Sequence, residues 1–447
     1  MIVRRDGRIA GMSIPLAALP PNDAERSELH NEVHARPPAR IRLPAMVVYI
    51  AVLNEGVSRE DECAHLQQLP GQAGLRPADL QRNFLRLRLG GRTLKWERHS
   101  EFTRYSLVQS LPDAAMPPAS DPELLSALAV DPAWLQGIPG RTVAAIKLVM
   151  LHHDLADPPV ALRAARQWFG ERMVVASLMG HGHSLAVTDF RLRDSGFERF
   201  LVLAPPGTTE TRAGRISGRL LEFETYRLMA LRGLPVAKAL GPTLAEAEAA
   251  LADITARLES KQADDEALLD TLVSLAARVE RATAETQYRF AATQAYAGIV
   301  AQRITELRES PIPGTQTLGE FMQRRLSPAI ATVVATAQRM ASLSQRIERA
   351  GSLLRTRVDI ATETQNRQLL AKLTRGQELQ LRLQSTVEGL SIAAISYYVV
   401  SLVLYAGKAA KATGLPIHPE LAAGASIPLV LLGVATLTRR IHRRLKT

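Results

Sequence analysis

The chain has 447 residues, enough for two or three domains that each bury a core. Hydrophobic residues make up 46% and charged residues 22%, which excludes a disordered chain. A mean hydropathy of −0.02 excludes a protein built mostly of membrane helices. The net charge of +11 favours anionic partners, either nucleic acid or an anionic membrane surface. The single cysteine, Cys63, excludes an internal disulfide framework and fits a reducing compartment.

The first 205 residues alternate strand and helix patterns, which predicts a mixed α/β domain. We expect strands at 46–53, 84–89, 93–108, 143–151, 173–179, 185–192 and 200–203, and helices at 58–69 and 159–169. An F-x-R-aromatic motif occurs in both halves, at 102–105 and 197–200. The sequence therefore predicts two related strand-helix-strand-strand units in one mixed sheet, linked by the proline- and alanine-rich segment 113–140.

Residues 206–388 have the periodicity of long helices. The predicted helices cover 211–233, 243–258, 265–309 and 329–386, and Pro328 is expected to kink or to restart the last of them. Thr317 and Glu320 have the spacing of a capping box. Apolar residues from Met340 onward keep a near-heptad rhythm, so we expect a coiled-coil stalk packed against the 265–309 helix or against other copies of the chain. The polar segment 362–366 falls on this seam, as a register-fixing layer or as the lining of an axial path.

Two apolar runs near the C-terminus, 389–407 and 421–437, are close to the length that crosses a bilayer. A short loop joins them, so residues 389–438 are predicted to form a two-pass transmembrane hairpin. The alternative is a pair of buried helices in a soluble protein.

Positive charge around these runs predicts their orientation. The tail 439–447 contains no acidic residue, and its basic side chains are expected to contact anionic lipid: Arg439, Arg440, Arg443, Arg444 and Lys446. The connecting loop has only Lys408 and Lys411. The N-terminal sequence lacks the continuous apolar run of a signal peptide. We therefore expect a membrane protein with both termini in the cytoplasm.

Three groups of histidines are candidate metal ligands. His30 and His34 lie four residues apart and would share one face of a short helix, although Glu32 would lie on another face. His152 with His153 and His181 with His183 are predicted at the ends of adjacent strands, where they would converge near Asp189. The alternative for each group is an ordinary structural role, as an interface residue or as polarity at a strand end.

The segment 96–101 concentrates acidic, basic and aromatic side chains on a predicted strand. We expect Glu97 and Glu101 to pair across strands with Arg86, Arg88 or their neighbours. The chain contains no P-loop, no G-x-G-x-x-G after a strand and no G-x-S-x-G motif. The sequence thus predicts a protein that is not an enzyme and identifies no cofactor. It also does not require nucleic-acid binding, because much of the positive charge lies beside the predicted bilayer.

Several strings resemble a bacterial family known as domain of unknown function 3422. They are LHNEVHARPP (29–38), LKWERHSEFTRYS (94–106), GRLLEFETYRLMAL (218–231), PGTQTLGEFMQRRLSPA (313–329) and QLRLQSTVEGLSIAAISYY (380–398). The resemblance covers most of the chain. It implies anchoring in a bacterial inner (plasma) membrane, and it implies no known activity.

The order of the predicted parts is also similar to that of CorA-type magnesium channels, which have a cytoplasmic α/β domain, a long stalk helix, two membrane helices and a basic tail. Those channels carry Gly-Met-Asn at the end of the first membrane helix, where this chain reads LYAGK (404–408). The signature is therefore missing.

Three functions follow as hypotheses. The first is a membrane-anchored scaffold or sensor that self-associates through its stalk. The second is a CorA-like oligomeric cation channel, with Ser396, Tyr397, Tyr398 and Ser401 as candidates for the membrane and pore contacts. The third is a membrane-tethered metal- or phosphate-dependent enzyme built around the four histidines at 152, 153, 181 and 183.

Overall fold

A computed structural model describes residues 23–32, 37–112, 131–170, 172–260, 264–412, 416 and 418–445. The predictions for His34, for Lys446 and for most of the linker 113–140 lie outside these ranges. The described residues form two compact units: those within 1–253 together with 274–347, and those within 254–273 together with 348–447.

One mixed sheet of eight strands is the centre of the first unit. Its strands are β1 (Ala45–Leu53), β2 (Phe84–Leu89), β3 (Arg92–Arg98), β4 (Phe102–Ser110), β5 (Arg141–His152), β6 (Val175–Met179), β7 (Ser184–Thr188) and β8 (Glu198–Ala204). They lie in the order β2-β3-β4-β1-β5-β8-β7-β6. Only β5 and β8 run parallel among the described strand pairs. The predicted mixed sheet is confirmed.

The two halves of the sheet are less alike than the sequence predicts. Each half contains three strands after its helix rather than the two of the predicted repeat. In the first half, the predicted strand 93–108 is broken at 99–101 into β3 and β4, and in the second half each of the three strands predicted after the helix is present as β6, β7 and β8. Both halves place their strands in the same spatial order. However, β4 runs antiparallel to β1, whereas β8 runs parallel to β5. The three strands that follow the helix therefore run in opposite directions in the two halves, when each is compared with the first strand of its own half (β1 or β5).

The helices are α1 (Arg26–Glu32), α2 (Arg59–Gln67), α3 (Pro132–Gln136), α4 (Pro158–Gln167), α5 (Glu210–Leu231), α6 (Gly233–Glu259), α7 (Asp265–Leu307), α8 (Leu318–Arg325), α9 (Ser327–Ala412) and α10 (Pro419–Leu445). A short 3-10 helix covers Pro77–Leu80. Helices α2 and α4 contribute to the core on one face of the sheet. Helices α5, α7 and α8 contribute to the core on the other face. Since both faces are covered, the central strand β1 is buried along its whole length.

Helix α6 differs from the prediction that a helix begins only after Pro242. It begins at Gly233, and Pro242 lies inside it. A stripe at spacings of three and four residues is buried on both sides of this proline: Ala237, Leu240, Leu244, Ala247, Leu251 and Ile254. Burying a leucine contributes about 1.5–3 kcal/mol, and an interior proline costs about 3 kcal/mol. The continuous apolar stripe therefore outweighs the proline.

The predicted packing between the 265–309 helix and the stalk helix is confirmed over the first part of α9. In the first unit, Thr286 of α7 lies with its Oγ1 3.9 Å from the sulfur of Met340. In the second unit, Arg357 pairs with Asp265 at 3.0 Å, and Leu354 is fully buried. Every residue from 359 to 387 is exposed, so this part of α9 has no partner among the described residues.

Both C-terminal helices of the second unit are long and apolar enough to cross a membrane. Of the apolar stretch in each of α9 and α10, 6% is buried. Gly407 of α9 lies close to Pro419 of α10, since a Cβ on this glycine would be 3.4 Å from the proline Cα. The structure thus contains the two candidate membrane helices that the sequence predicts.

Candidate functional site

A group of charged side chains lies on the sheet face that α5 covers. The alternation of strand β3 directs Leu94 and Trp96 into the core on the α2 and α4 side. Lys95 and Glu97 therefore point to the opposite face. On β4, Arg104 lies directly opposite Glu97 in the strand register. Period-two alternation in two neighbouring strands thus places three charged residues under α5.

These residues begin a chain of ion pairs that links the sheet to two helices. Glu97 accepts from Arg104 Nε at 2.5 Å and lies 3.1 Å from Lys95 Nζ. Arg104 also reaches Glu222 of α5 at 3.2 Å. Arg303 of α7 donates to the second oxygen of Glu222 at 2.8 Å. Glu97 therefore pairs across strands as predicted, but with Arg104 of β4 and not with Arg86 or Arg88 of β2.

The chain of ion pairs continues toward solvent. Arg303 donates to both carboxylate oxygens of Glu306 at 2.9 Å. Arg219 of α5 lies 3.4 Å from Glu306. Glu101, for which cross-strand pairing was also expected, instead pairs with Arg289 and accepts a hydrogen bond from Tyr296 at 2.6 Å, both on α7.

Burial and charge compete in the pKa values of this network. Burial acts to raise the pKa of Glu97, but the adjacent Arg104 and Lys95 outweigh it and lower that pKa. Burial likewise acts against the charged form of Arg104, and its carboxylate partners raise its pKa nevertheless. For Lys95 burial is the larger effect, and the pKa of its ammonium group is lowered. Glu97 and Arg104 are thus held as an ion pair inside the protein.

A cavity of about 430 Å³ opens beside this network, between the sheet and α5. This volume is within the range of small-molecule sites in proteins. Its charged lining consists of five cations, Lys95, Arg104, Arg215, Arg219 and Arg303, and three carboxylates, Glu97, Glu222 and Glu306. The lining therefore carries two excess positive charges.

Two glycines of α5 shape the wall of the cavity. Gly214 lies against the backbone of Ala39, where a Cβ would come within 1.6 Å of the carbonyl oxygen. At Gly218, one turn further, a Cβ would meet nothing within 4 Å. Gly214 thus allows close contact with the segment that precedes β1, whereas Gly218 borders open space in the cavity.

The histidines predicted as metal ligands make other contacts. His153 lies with Nδ1 2.6 Å from the backbone oxygen of Asp154, and His183 lies 2.7 Å from the Ser184 hydroxyl. His181 lies 3.4 Å from Arg308. His152 is half-buried at the end of β5, and His30 is exposed on α1.

Asp189, toward which the four histidines were expected to converge, pairs with Arg193 at 2.7 Å. Among the described residues no group of three or more His, Cys, Asp or Glu side chains is arranged to hold a metal ion. The structure therefore does not bring these histidines together as a metal site.

A second cluster of buried charges lies between β8 and α5. Arg227 pairs with Glu224 and lies 3.7 Å from Glu198. Burial, together with the neighbouring Glu224, raises the pKa of Glu198 to about 9. Glu198 is thus protonated at neutral pH.

The residues predicted for the membrane segment differ in exposure. Ser396 is buried, Ser401 is half-buried, and Tyr397 and Tyr398 are exposed. Arg440 in the basic end of α10 is exposed. The backbone of α10 includes the positions of three further predicted lipid contacts: Arg439, Arg443 and Arg444.

Sequence reasoning missed the charged cavity because its partners are far apart in the chain. Glu222 and Arg104 are separated by 118 positions, and Arg303 and Glu222 by 81. One signal was present: the strings 94–106 and 218–231, which carry the family resemblance, together supply Lys95, Glu97, Arg104, Arg219 and Glu222. Charged residues inside an otherwise apolar strand pattern require partners or a ligand.

Fold and site define a mixed α+β protein with long helices, two of which are candidates to span a membrane. A family model described as "Protein of unknown function (DUF3422)" matches residues 21–445, and the chain therefore belongs to that family. No curated protein and no solved structure matches the chain.

Proposed function

We propose that the protein is a two-pass inner-membrane protein whose α+β unit acts as a cytoplasmic sensor or scaffold. The observation that carries this proposal is the exposure of the apolar stretches in α9 and α10, of which 6% is buried. Apolar surface exposed to water costs about 25 cal/mol per Å², so two such stretches need a lipid environment or an apolar partner. A bilayer matches their length.

The distribution of charge supports the orientation. The end of α10 is rich in arginine, whereas the segment between the two apolar stretches carries only Lys408 and Lys411 as basic residues besides His418. Cytoplasmic flanks are the ones enriched in Lys and Arg. In this orientation the basic end of α10 contacts the anionic cytoplasmic leaflet, and the α+β unit lies in the cytoplasm.

Self-association through α9 is part of the proposal. Residues 369, 373, 376, 380, 383, 387 and 390 alternate at spacings of four and three, the rhythm of a coiled-coil seam. The apolar side chains in this series are exposed: Leu369, Leu373, Leu383, Val387 and Leu390. Two copies anchored in one bilayer would run parallel with these segments at the same height, so a second copy is the occupant we propose for this face.

The sensor role rests on the charged cavity and on the continuity of α9. A cavity lined by five cations and three carboxylates provides a site for an anionic signal molecule. Helix α9 is unbroken from Ser327 to Ala412, so the chain runs without interruption from the first unit into the apolar stretch. A ligand that alters the packing of the first unit would change the self-association of the second through this helix.

Native mass measurement of the full-length protein in detergent tests the self-association. We expect a dimer that is lost when Leu373 and Leu383 are both changed to Gln. Leu370→Gln with Leu381→Gln is the matched control, because these leucines are equally exposed but lie off the seam. A monomer in the wild type would refute self-association. A ring of four or more copies would refute the dimer and favour the ion-conducting alternative.

A further inference from the structure

We propose that the charged cavity binds a small polyanion, a ligand that presents two or more oxyanion groups. This inference rests on the sensor function proposed above, since it names the class of ligand for the same site. It is argued from three features of the first unit: the pairing of the carboxylates, the position of the remaining cations and the open space beside Gly218.

The carboxylates of the cavity are already neutralised. Glu97 has Arg104 and Lys95 as partners. Glu222 lies between Arg104 and Arg303, and Glu306 between Arg303 and Arg219. Each carboxylate thus contacts two cations, which leaves none to attract a cationic ligand.

The cations are not neutralised to the same extent. Arg215 lines the cavity, is exposed, and has no ion pair or hydrogen bond within the described part of the chain. Arg219 has one carboxylate contact, at 3.4 Å. Lys95 lines the same cavity from the sheet, and burial lowers its pKa. An anion in the cavity would stabilise the charged form of Lys95 and give Arg215 a partner.

The geometry fits oxyanion groups. Arg215 and Arg219 are four residues apart on α5, so their side chains project from the same face of the helix. Guanidinium groups bind phosphate and carboxylate oxygens through paired N–H donors. Lys95 lines the cavity from β3, so an anion held between the helix and the sheet would contact positive charge on both sides.

The available space selects a small ligand. A cavity of about 430 Å³ holds a molecule larger than a single phosphate ion and far smaller than a polymer. The side of α5 that borders it carries Gly218 and the buried Ser217, so the helix does not fill the space. We therefore expect the ligand to have a body of several atoms between its anionic groups.

The test is calorimetric titration of the full-length protein, in nanodiscs of neutral phosphatidylcholine, with pyrophosphate and with citrate at matched ionic strength. We expect saturable binding of at least one of them. Arg215→Ala should weaken it tenfold or more, as expected for the loss of one charge-assisted contact. Gly218→Leu should abolish it by filling the cavity, and its helical backbone position leaves room for the new Cβ.

Arg163→Ala is the matched control, because this exposed arginine lies on α4, outside the cavity. Its binding should equal that of the wild type, and tryptophan fluorescence should show all three variants folded. Absence of saturable binding for both anions, or binding that neither cavity variant weakens, would overturn the inference. Neither result would bear on the proposed dimer or on the proposed membrane anchor, which are tested by separate measurements.

Nanodiscs with anionic phosphatidylglycerol distinguish the two sources of such a ligand. If anionic lipid abolishes the binding of pyrophosphate, in the wild type and in the control variant Arg163→Ala alike, the cavity takes a lipid headgroup. If binding persists at similar strength, the ligand is a soluble polyanion. Both outcomes support an oxyanion site at Arg215.

Discussion

The buried guanidinium of Arg104 provides a quantitative test of the charge network. Its side chain is 8% exposed and contacts Glu97 and Glu222. Arg104→Met keeps much of the volume and removes the charge, so Glu97, which is 1% exposed, retains only Lys95. Removing one partner of a buried ion pair costs about 3–5 kcal/mol. We expect the free energy of unfolding of the first unit to fall by about that amount.

The assay is urea unfolding of the detergent-solubilised protein, followed by tryptophan fluorescence. All three tryptophans, Trp96, Trp134 and Trp168, lie in the first unit, so the signal reports this unit alone. Arg141→Met is the control. Its pair with Glu55 is mostly exposed and contributes about 0–1 kcal/mol. The reasoning is refuted if both variants lose the same small amount.

Three further predictions concern the first unit. Gly214→Ala should destabilise this unit strongly, because the new Cβ would collide with the Ala39 carbonyl. Gly218→Ala should be neutral or should stabilise α5 by up to about 1 kcal/mol, because its Cβ meets nothing within 4 Å. Thermal unfolding of the two variants compares these effects. The pKa of Glu198 in the folded state is about 9, above its usual 4.5. Protonation of Glu198 therefore stabilises the folded state at low pH, and this stabilising free energy is lost as the pH rises through about 9. Glu198→Gln should therefore flatten the fall in stability between those pH values, and an unchanged slope would contradict the assignment. Thr317→Ala should cost about 1 kcal/mol through loss of the capping box of α8, and a thermal midpoint equal to that of the wild type would contradict it.

Features that depend on near neighbours in the chain were predictable. The Thr317 and Glu320 capping box is present, and Pro328 lies in the first turn of α9 as expected for a helix restart. The long helix after it contains no proline to stop it. Strand β1 is a continuous apolar run, and the structure buries all of it.

Features that depend on distant packing were not predictable. Pro242 predicts a helix boundary, but α6 continues through it because apolar residues on both sides of this proline are buried. The charge cluster at 96–101 was recognised, but the partner of Glu101 is Arg289, 188 positions away. The direction of β8 relative to β5 is likewise set by how the chain crosses the sheet.

Membrane anchoring with the α+β unit on the cytoplasmic side is the central claim, and cysteine labelling tests it directly. The sole native cysteine, Cys63, is buried, and Cys63→Ala removes it altogether. In that background Lys411→Cys lies between the two apolar stretches and Gln377→Cys lies before the first; both positions are exposed. In intact spheroplasts a membrane-impermeant maleimide should label the cysteine at position 411, and the one at 377 only after permeabilisation. Labelling of position 377 in intact spheroplasts, or protection of position 411, would contradict the account.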